Sequence, residues 1–183
     1  MDFFDTIFAR HSIRSYANQP VEPEKIQKIL ECISQAPSAG NLQGYQVYVV
    51  TKESQRIQLV NCAQGQDFLR QVPFVFVFCT DPMRSAGKYH KRGEELYSLQ
   101  YATIACTYAM LAATTLGLST VWVGAFDEDA VKNVIGIPGK LRPIILLPIG
   151  YAEESPRITP RRALAEMIHY VGNHLEKNIY EEK

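Results

Sequence analysis

The chain has 183 residues, 46% hydrophobic and 21% charged, with 19 lysines and arginines balanced by 19 aspartates and glutamates. That length fits one ordinary domain with a self-sufficient core, and the composition is not that of a disordered chain. Zero net charge argues against a general nucleic-acid binder, whose affinity comes from a basic surface, and no run of about 18 apolar residues is present to cross a membrane.

Taken in order, residues 2–9 read as a short helix. Asp2 can cap it, and Phe3, Phe4, Ile7 and Phe8 recur at helical spacing. A basic connector, Arg10-His11-Ser12-Ile13-Arg14-Ser15-Tyr16, follows. Residues 22–36 form the clearest helix: Pro23 suits its first turn, and Ile26, Ile29, Leu30 and Ile33 make one apolar stripe. Residues 37–44 are a loop by composition. Tyr45 to Thr51 alternates and is rich in valine and tyrosine, as a strand does. A helix over 53–63 precedes residues 73–79, an apolar run bounded by prolines that predicts a strand buried on both faces.

Residues 84–92 carry Arg84, Lys88, Lys91 and Arg92, and read as a basic loop or an exposed helix start. Glu94 to Leu116 reads as one long helix. Its alanines (102, 105, 109, 112 and 113) suit close approach at the centre of the core or at a subunit contact. Gly117 ends it. A strand over 120–123, a short helix capped by Asp127, and a strand over 142–150 complete the pattern. Beyond Gly150 come Pro156, Arg157, Pro160, Arg161 and Arg162, then a polar tail. The order predicts one α+β or α/β layer domain over 1–183. Cys32, Cys62, Cys79 and Cys106 form no CxxC pair. They read as buried free thiols of a reducing, cytoplasmic protein without a signal peptide. The scattered histidines and cysteines suggest no metal site.

Basic and hydroxyl residues at both ends of the chain carry the chemical interest. In an extended connector, Arg10, Ser12 and Arg14 point the same way and can converge on one anion; the alternative is a solvated basic turn. Arg161 and Arg162 carry the same pair of readings. Ser38, Asn41 and Gln43 offer groups that suit the edge of a heterocycle, or simply a polar loop. Gly124 lets a flat ligand approach the backbone, or merely turns the chain after a strand. No phosphate-binding Walker loop, GxGxxG, HExxH or GxSxG motif is present. Cofactor redox chemistry needs no protein nucleophile and fits that absence.

At these residues the chain resembles the nitroreductase family of FMN-dependent oxidoreductases. Arg10-His11-Ser12-Ile13-Arg14-Ser15-Tyr16 is similar to the family's RRSxRxF opening. Ala36-Pro37-Ser38-Ala39-Gly40-Asn41-Leu42-Gln43 is similar to its APSxxNxQPW loop. Leu116 to Gly124 is similar to its GLGxxWxG segment, and Pro160-Arg161-Arg162 to its basic patch before the C-terminal tail.

The resemblance implies a nitroreductase-like α+β fold with a central mixed sheet flanked by helices. It implies an intertwined homodimer with two FMN sites at the interface and a tail, residues 163–183, wrapping the partner subunit. Arg10, Ser12 and one or both of Arg161 and Arg162 would hold the FMN phosphate, with His11 also at the cofactor and Arg14 nearer the pyrimidine side. Pro37, Ser38, Ala39, Asn41 and Gln43 would reach the ring and ribityl chain from the partner. Val123 and Gly124 would face flavin N5 through backbone groups. No protein side chain is assigned as catalytic, and no metal is implied.

The implied reaction is ping-pong hydride transfer from NAD(P)H to a nitroaromatic, quinone or similar small electron-poor acceptor. Reductive dehalogenation and a low-turnover flavin-binding or redox-sensing protein are the alternatives. The basic stretch 84–92 would border the entrance and favour an anionic ligand such as NADPH, or would be solvated surface. Two departures stand out. Gly44-Tyr45 replaces Pro-Trp, which implies a looser loop, and the family's mid-chain polar residue has only Gln66, Asp67 and Arg70 as possible counterparts. The chain is also short for the family, which implies that the helices shaping the substrate lid in larger members are missing.

Overall fold

The computed structural model describes residues 1–171. Its centre is a four-stranded sheet of β1 (Tyr45–Val50), β2 (Phe74–Thr80), β3 (Ser119–Thr120) and β4 (Arg142–Gly150), in the order β1-β2-β4-β3. All three ladders are antiparallel. The parallel component of the expected mixed sheet is confined to one bridge, Ser12 to Thr120, where the N-terminal connector runs along the outer edge of β3.

Every residue of β2 is buried. Phe74, Phe76 and Phe78 face one core with Ile145, Leu147 and Ile149 of β4. Val75, Val77 and Cys79 face the other, because side chains alternate across a strand. The phenylalanine side is covered by α2 (Pro23–Ser34), through Ile29 and Ile33, and by α6 (Ser98–Thr115), through Ala105, Ala109 and Ala113. The valine side is covered by α3 (Glu53–Cys62), a short α4 (Phe68–Gln71) and α7 (Glu128–Ile135). No helix of the described residues is long and apolar enough to cross a membrane.

Several sequence expectations change in detail. The strand expected over 120–123 is regular only at Ser119–Thr120, with one further bridge from Val123 to Leu146. Both contacts share one register, which places Val121 opposite Pro148. Proline has no N–H to give, so the ladder is interrupted there. The stretch 84–92 is neither a loop nor only a helix start: α5 spans Pro82–Arg92, capped by Asp81. The long helix expected from Glu94 begins with a π turn, Gly93–Tyr97, and becomes regular at Ser98. The backbone is sharply displaced at His90 (φ 49°, ψ −140°) just before that turn. α4 was not anticipated, because four residues are too few to show a period.

Gly93 is buried where the chain cannot give way: a Cβ there would lie 2.4 Å from the main-chain oxygen of Ser85. Gly44 is equally close-packed, with Ser85 Oγ 2.3 Å from its Cβ position and its carbonyl accepting from Asp81 N at 3.0 Å. The Gly-for-Pro departure therefore reflects tight packing against α5, where a looser loop was expected.

All four cysteines are free, but only Cys79 and Cys106 are buried; Cys32 and Cys62 are half-buried. Burial pushes the Cys79 thiol up to about 12, partly opposed by Lys132, and burial holds Cys106 well above its ordinary value.

Two outcomes follow from this packing. Gly93→Ala should destabilise the fold by about 1–3 kcal/mol through overpacking, read as a lower denaturant midpoint with an unchanged slope. In alkali, the unfolded thiols ionise near their ordinary value while the folded ones stay protonated. The unfolded state thus releases protons first, and stability falls as pH rises from about 9 towards 12. A Cys79→Ala/Cys106→Ala variant should lose stability less steeply over that range, measured by urea unfolding at successive pH values.

Candidate functional site

The connector after α1 (Phe3–Ala9) is held in place by its backbone. Ile13 N donates to Thr120 O at 3.1 Å, and Ala17 N donates to Tyr151 O at 2.9 Å. Tyr16 N donates to Gln71 Oε1 at 3.0 Å. Ser15 N donates to the Glu154 carboxylate at 3.1 Å, which also accepts from Arg14 N. Ile13 is buried, so its neighbours Ser12 and Arg14 are turned the other way; the alternation ends by Tyr16, which is buried as well. Tyr16 is deeply enough buried that desolvation pushes its phenol far above the ordinary range.

On that outward side lies a cleft of about 260 Å³, lined by Arg10, His11, Ser12, Arg14, Arg157, Thr159 and Arg161. Two distant segments thus form one pocket. Arg157, Thr159 and Arg161 alternate along an irregular stretch flanked by Pro156 and Pro160. Sequence reasoning missed Arg157 and Thr159 as site residues. The signal was available: the same every-second-residue spacing that singles out Arg10, Ser12 and Arg14, in a segment that proline keeps extended.

Four arginines, a serine and a threonine line this cleft, and no carboxylate side chain joins them among the described residues. Such a donor set suits a dianionic phosphate, since guanidinium binds phosphate oxygens through paired donors. His11 Nδ1 lies 3.0 Å from Ala9 O and donates to it, leaving Nε2 for other partners. Arg162 does not line the cleft. Its Nε donates to Glu166 at 3.1 Å and its second nitrogen to Glu166 O at 2.9 Å, so its charge is already paired.

Val123 and Gly124 lie along the same sheet edge as Thr120. Four residues of extended chain span about 13 Å, a separation a phosphorylated ribityl chain can bridge. Val123 is buried, and its main chain is fully used: Val123 N donates to Leu146 O at 3.1 Å and Leu146 N to Val123 O at 3.0 Å. Its backbone is therefore not available to a ligand in the way the resemblance implied. Gly124 is exposed and its N–H has no partner among the described residues. Gln66 Nε2 donates to the adjacent Ala125 O at 3.4 Å. Asp67 and Arg70 pair with each other at 2.7 Å. Of the three mid-chain polar residues, Gln66 alone touches the Gly124 turn.

The Pro37–Gly44 loop lies elsewhere. Ser38 Oγ accepts from Gln43 N at 2.9 Å, and Asn41 Oδ1 accepts from Gln43 Nε2 at 3.1 Å. These bonds hold Asn41 (φ 55°) and Gln43 (φ 50°) in the left-handed region, which non-glycine residues enter at a cost. They leave the Asn41 amide nitrogen for an outside partner. Pro37, Ser38 and Ala39 instead line a different, mainly apolar cleft of about 640 Å³, with Tyr97, Leu99, Gln100, Tyr101, Thr103 and Ile104. Most predicted site residues therefore fall into separate places within one chain, the arginine cleft, the Gly124 turn on the same sheet edge and the loop, while Arg162 lines neither cleft.

The sequence profile described as the nitroreductase family matches residues 7–66 and 58–151. The chain is 29% identical over 167 residues to a Bacillus subtilis protein named FMN reductase (NAD(P)H), covering 82% of this chain and 66% of that protein. It is 26% identical over 172 residues to the NADPH-flavin oxidoreductase of Vibrio harveyi, covering 90% and 72%. A crystal structure of a nitroreductase family protein from Clostridium difficile 630 matches with a TM-score of 0.81 and 29% identity, over 93% of this chain and 98% of that one. With the fold, the four motifs and the profile in agreement, the chain belongs to the nitroreductase family.

Proposed function

We propose that this chain is an FMN-dependent NAD(P)H oxidoreductase, acting as a homodimer by a ping-pong cycle on a nitroaromatic, quinone or similar electron-poor acceptor. The observation that carries the cofactor assignment is the cleft of four arginines with Ser12 and Thr159, which brings segments near both ends of the chain to one strongly basic site. The B. subtilis and V. harveyi relatives, named for FMN or flavin and for NAD(P)H or NADPH, support the same reading.

FMN held there would supply the two-electron hydride chemistry between the nicotinamide and the acceptor. The chain's part is binding and electrostatics. Arg10, Arg157 and Arg161 balance the phosphate charge, and Ser12 and Thr159 add short hydroxyl bonds. Arg14 keeps a positive charge on the same edge, which favours a reduced, anionic ring. Gly124 offers an unused N–H, and the missing side chain lets a flat ring approach.

The homodimer accounts for the separation of the loop from the arginine cleft. Pro37, Ser38, Ala39, Asn41 and Gln43 would complete the partner's site rather than their own. Exposed apolar surface supports that reading: Phe3, Phe4 and Phe8 of α1 are 65%, 69% and 77% exposed, and Leu164 and Ile168 are exposed as well. Such surface is costly in a monomer and marks an interface. The expectation that residues 163–183 wrap the partner falls partly beyond view, since 172–183 lie outside the described residues; 163–169 are exposed.

The purified protein should show flavin absorption bands that bleach when NADPH or NADH is added without oxygen and recover with a quinone or nitroaromatic. A protein that takes up no FMN on reconstitution would overturn the assignment; bands that persist with both donors would favour a sensor. Arg161→Ala should weaken FMN binding about tenfold to a hundredfold, the loss of one charge-assisted contact, whereas Arg162→Ala should change it little. Inactive Arg161→Ala and Asn41→Ala proteins, unfolded and refolded together, should regain activity through mixed dimers that hold one intact site. Absence of recovery would place both groups in the same subunit's site.

A further inference from the structure

The basic stretch from Arg84 to Arg92 is sorted by the fold into spent and unspent charges. Arg84 Nε donates to Leu42 O. Lys91 pairs with Glu95 at 3.6 Å. Lys88 and Arg92 have no carboxylate partner among the described residues. Both lie near tyrosine rings instead: Lys88 Nζ is 5.5 Å from the centre of Tyr89, and the Arg92 guanidinium is 5.6 Å from the centre of Tyr97, whose hydroxyl accepts from Arg92 Nε at 3.2 Å.

Those tyrosines are continuous with a cleft wall. Tyr89 packs edge-on against Tyr97 at 5.2 Å, and Tyr97 lies 6.3 Å from Tyr101. Tyr97 and Tyr101 line the 640 Å³ cleft opposite Pro37, Ser38 and Ala39, and the Tyr101 hydroxyl reaches Ala39 O at 3.5 Å. Lys88 reaches the same loop. A Cβ at Gly40 would lie 2.6 Å from Lys88 Nζ and 3.0 Å from the Tyr89 hydroxyl. Gly40 also has φ +59°. Glycine enters that conformation without strain and leaves room for the ammonium beside the loop backbone.

We propose that this cleft is a subsite for a planar aromatic ligand carrying a phosphate or carboxylate, and that Lys88, seconded by Arg92, is its specificity-determining residue. The inference rests on the reading above that the Pro37–Asn41 loop meets the partner's flavin, which puts the cleft beside the reacting ring. Tyrosine faces and edges hold an aromatic ring. Lys88 is exposed, and its ammonium, without a carboxylate partner among the described residues, stands against the loop that walls this apolar cleft, where its charge favours an anion over a neutral group. The anion has two sources: the extra phosphate that distinguishes NADPH from NADH, or the acid group of an aromatic acceptor.

The test compares the holoenzyme with its Lys88→Gln, Lys88→Arg and Tyr97→Leu forms, measuring kcat/KM for two matched pairs. One pair is 4-nitrobenzoate and 4-nitrobenzyl alcohol as acceptors; the other is NADPH and NADH as donors. Lys88→Gln should lower the anionic or more phosphorylated member of one pair about tenfold relative to its counterpart. Lys88→Arg should restore most of that loss, and Tyr97→Leu should weaken both members of the affected pair. Loss confined to 4-nitrobenzoate assigns the anion to the acceptor; loss confined to NADPH assigns it to the donor. Ratios unchanged in both pairs overturn the proposal. Calorimetric titration of the same proteins with 4-nitrobenzoate and with adenosine 2′,5′-bisphosphate reads the subsite without turnover. If flavin binding or reduction fails, the function is wrong while the titration still decides the subsite: neither ligand binding, or Lys88→Gln binding both as well as wild type, overturns it.

Discussion

The burial of β2 on both faces is the constraint on which the rest of the structure depends. An apolar strand with phenylalanines on one side and valines and a cysteine on the other cannot be covered by a single layer of helices. It requires a neighbour on each edge and helices on each side. β1 and β4 supply the neighbours, α2 and α6 cover the phenylalanines, and α3, α4 and α7 cover the valines. The alanines of α6 follow from the same demand: three bulky rings on the strand leave room only for small side chains on the helix above them.

The far edge of that sheet is where the candidate anion-binding residues collect. β4 carries β3 on its outer side, and the N-terminal connector pairs with β3 in turn. Main-chain bonds, not side-chain preferences, set the positions of Arg10, Ser12 and Arg14. The same bonds bring the segment after β4 alongside, through Tyr151, Glu153 and Glu154. An anion cleft built this way is rigid at its base and basic at its rim. It also belongs to the strand that leads to Gly124, so cofactor phosphate and ring edge would be referred to one frame. The Pro37–Gly44 loop is referred to a different frame, the packing of α5 and α6. Under the proposed reading, a site built from both would be complete only when two copies meet, which would give the exposed aromatic side of α1 a physical reason.

Much of this was legible in the residues. Alternation and length identified β1, β2 and β4, periodicity identified α2, and the Asp2 and Asp127 caps marked two helix starts that the structure shows. The spacing of Arg10, Ser12 and Arg14 anticipated a shared face. Less legible were features that depend on a residue's partner across the fold. Val121 meets Pro148 only in the folded register, so the break in β3 has no local signature. Arg161 and Arg162 are adjacent and identical in type, yet one lines the cleft and the other is paired to Glu166.

The same division runs through the whole molecule. Residue order alone determined a single domain of mixed helices and strands, the buried central strand and part of the candidate anion-binding set, Arg10, Ser12, Arg14 and Arg161, because hydrophobic period and donor chemistry are local properties of the chain. Tertiary structure alone decided which charges remain available. Arg84, Lys91 and Arg162 are satisfied by a carbonyl or a carboxylate, while Lys88 and Arg92 are left over tyrosine rings. It also decided that Gly44 is tight rather than loose, and that Gly124, not Val123, keeps an unused N–H. A charge or a backbone donor is available only by subtraction of its partners, and those partners lie far away in sequence.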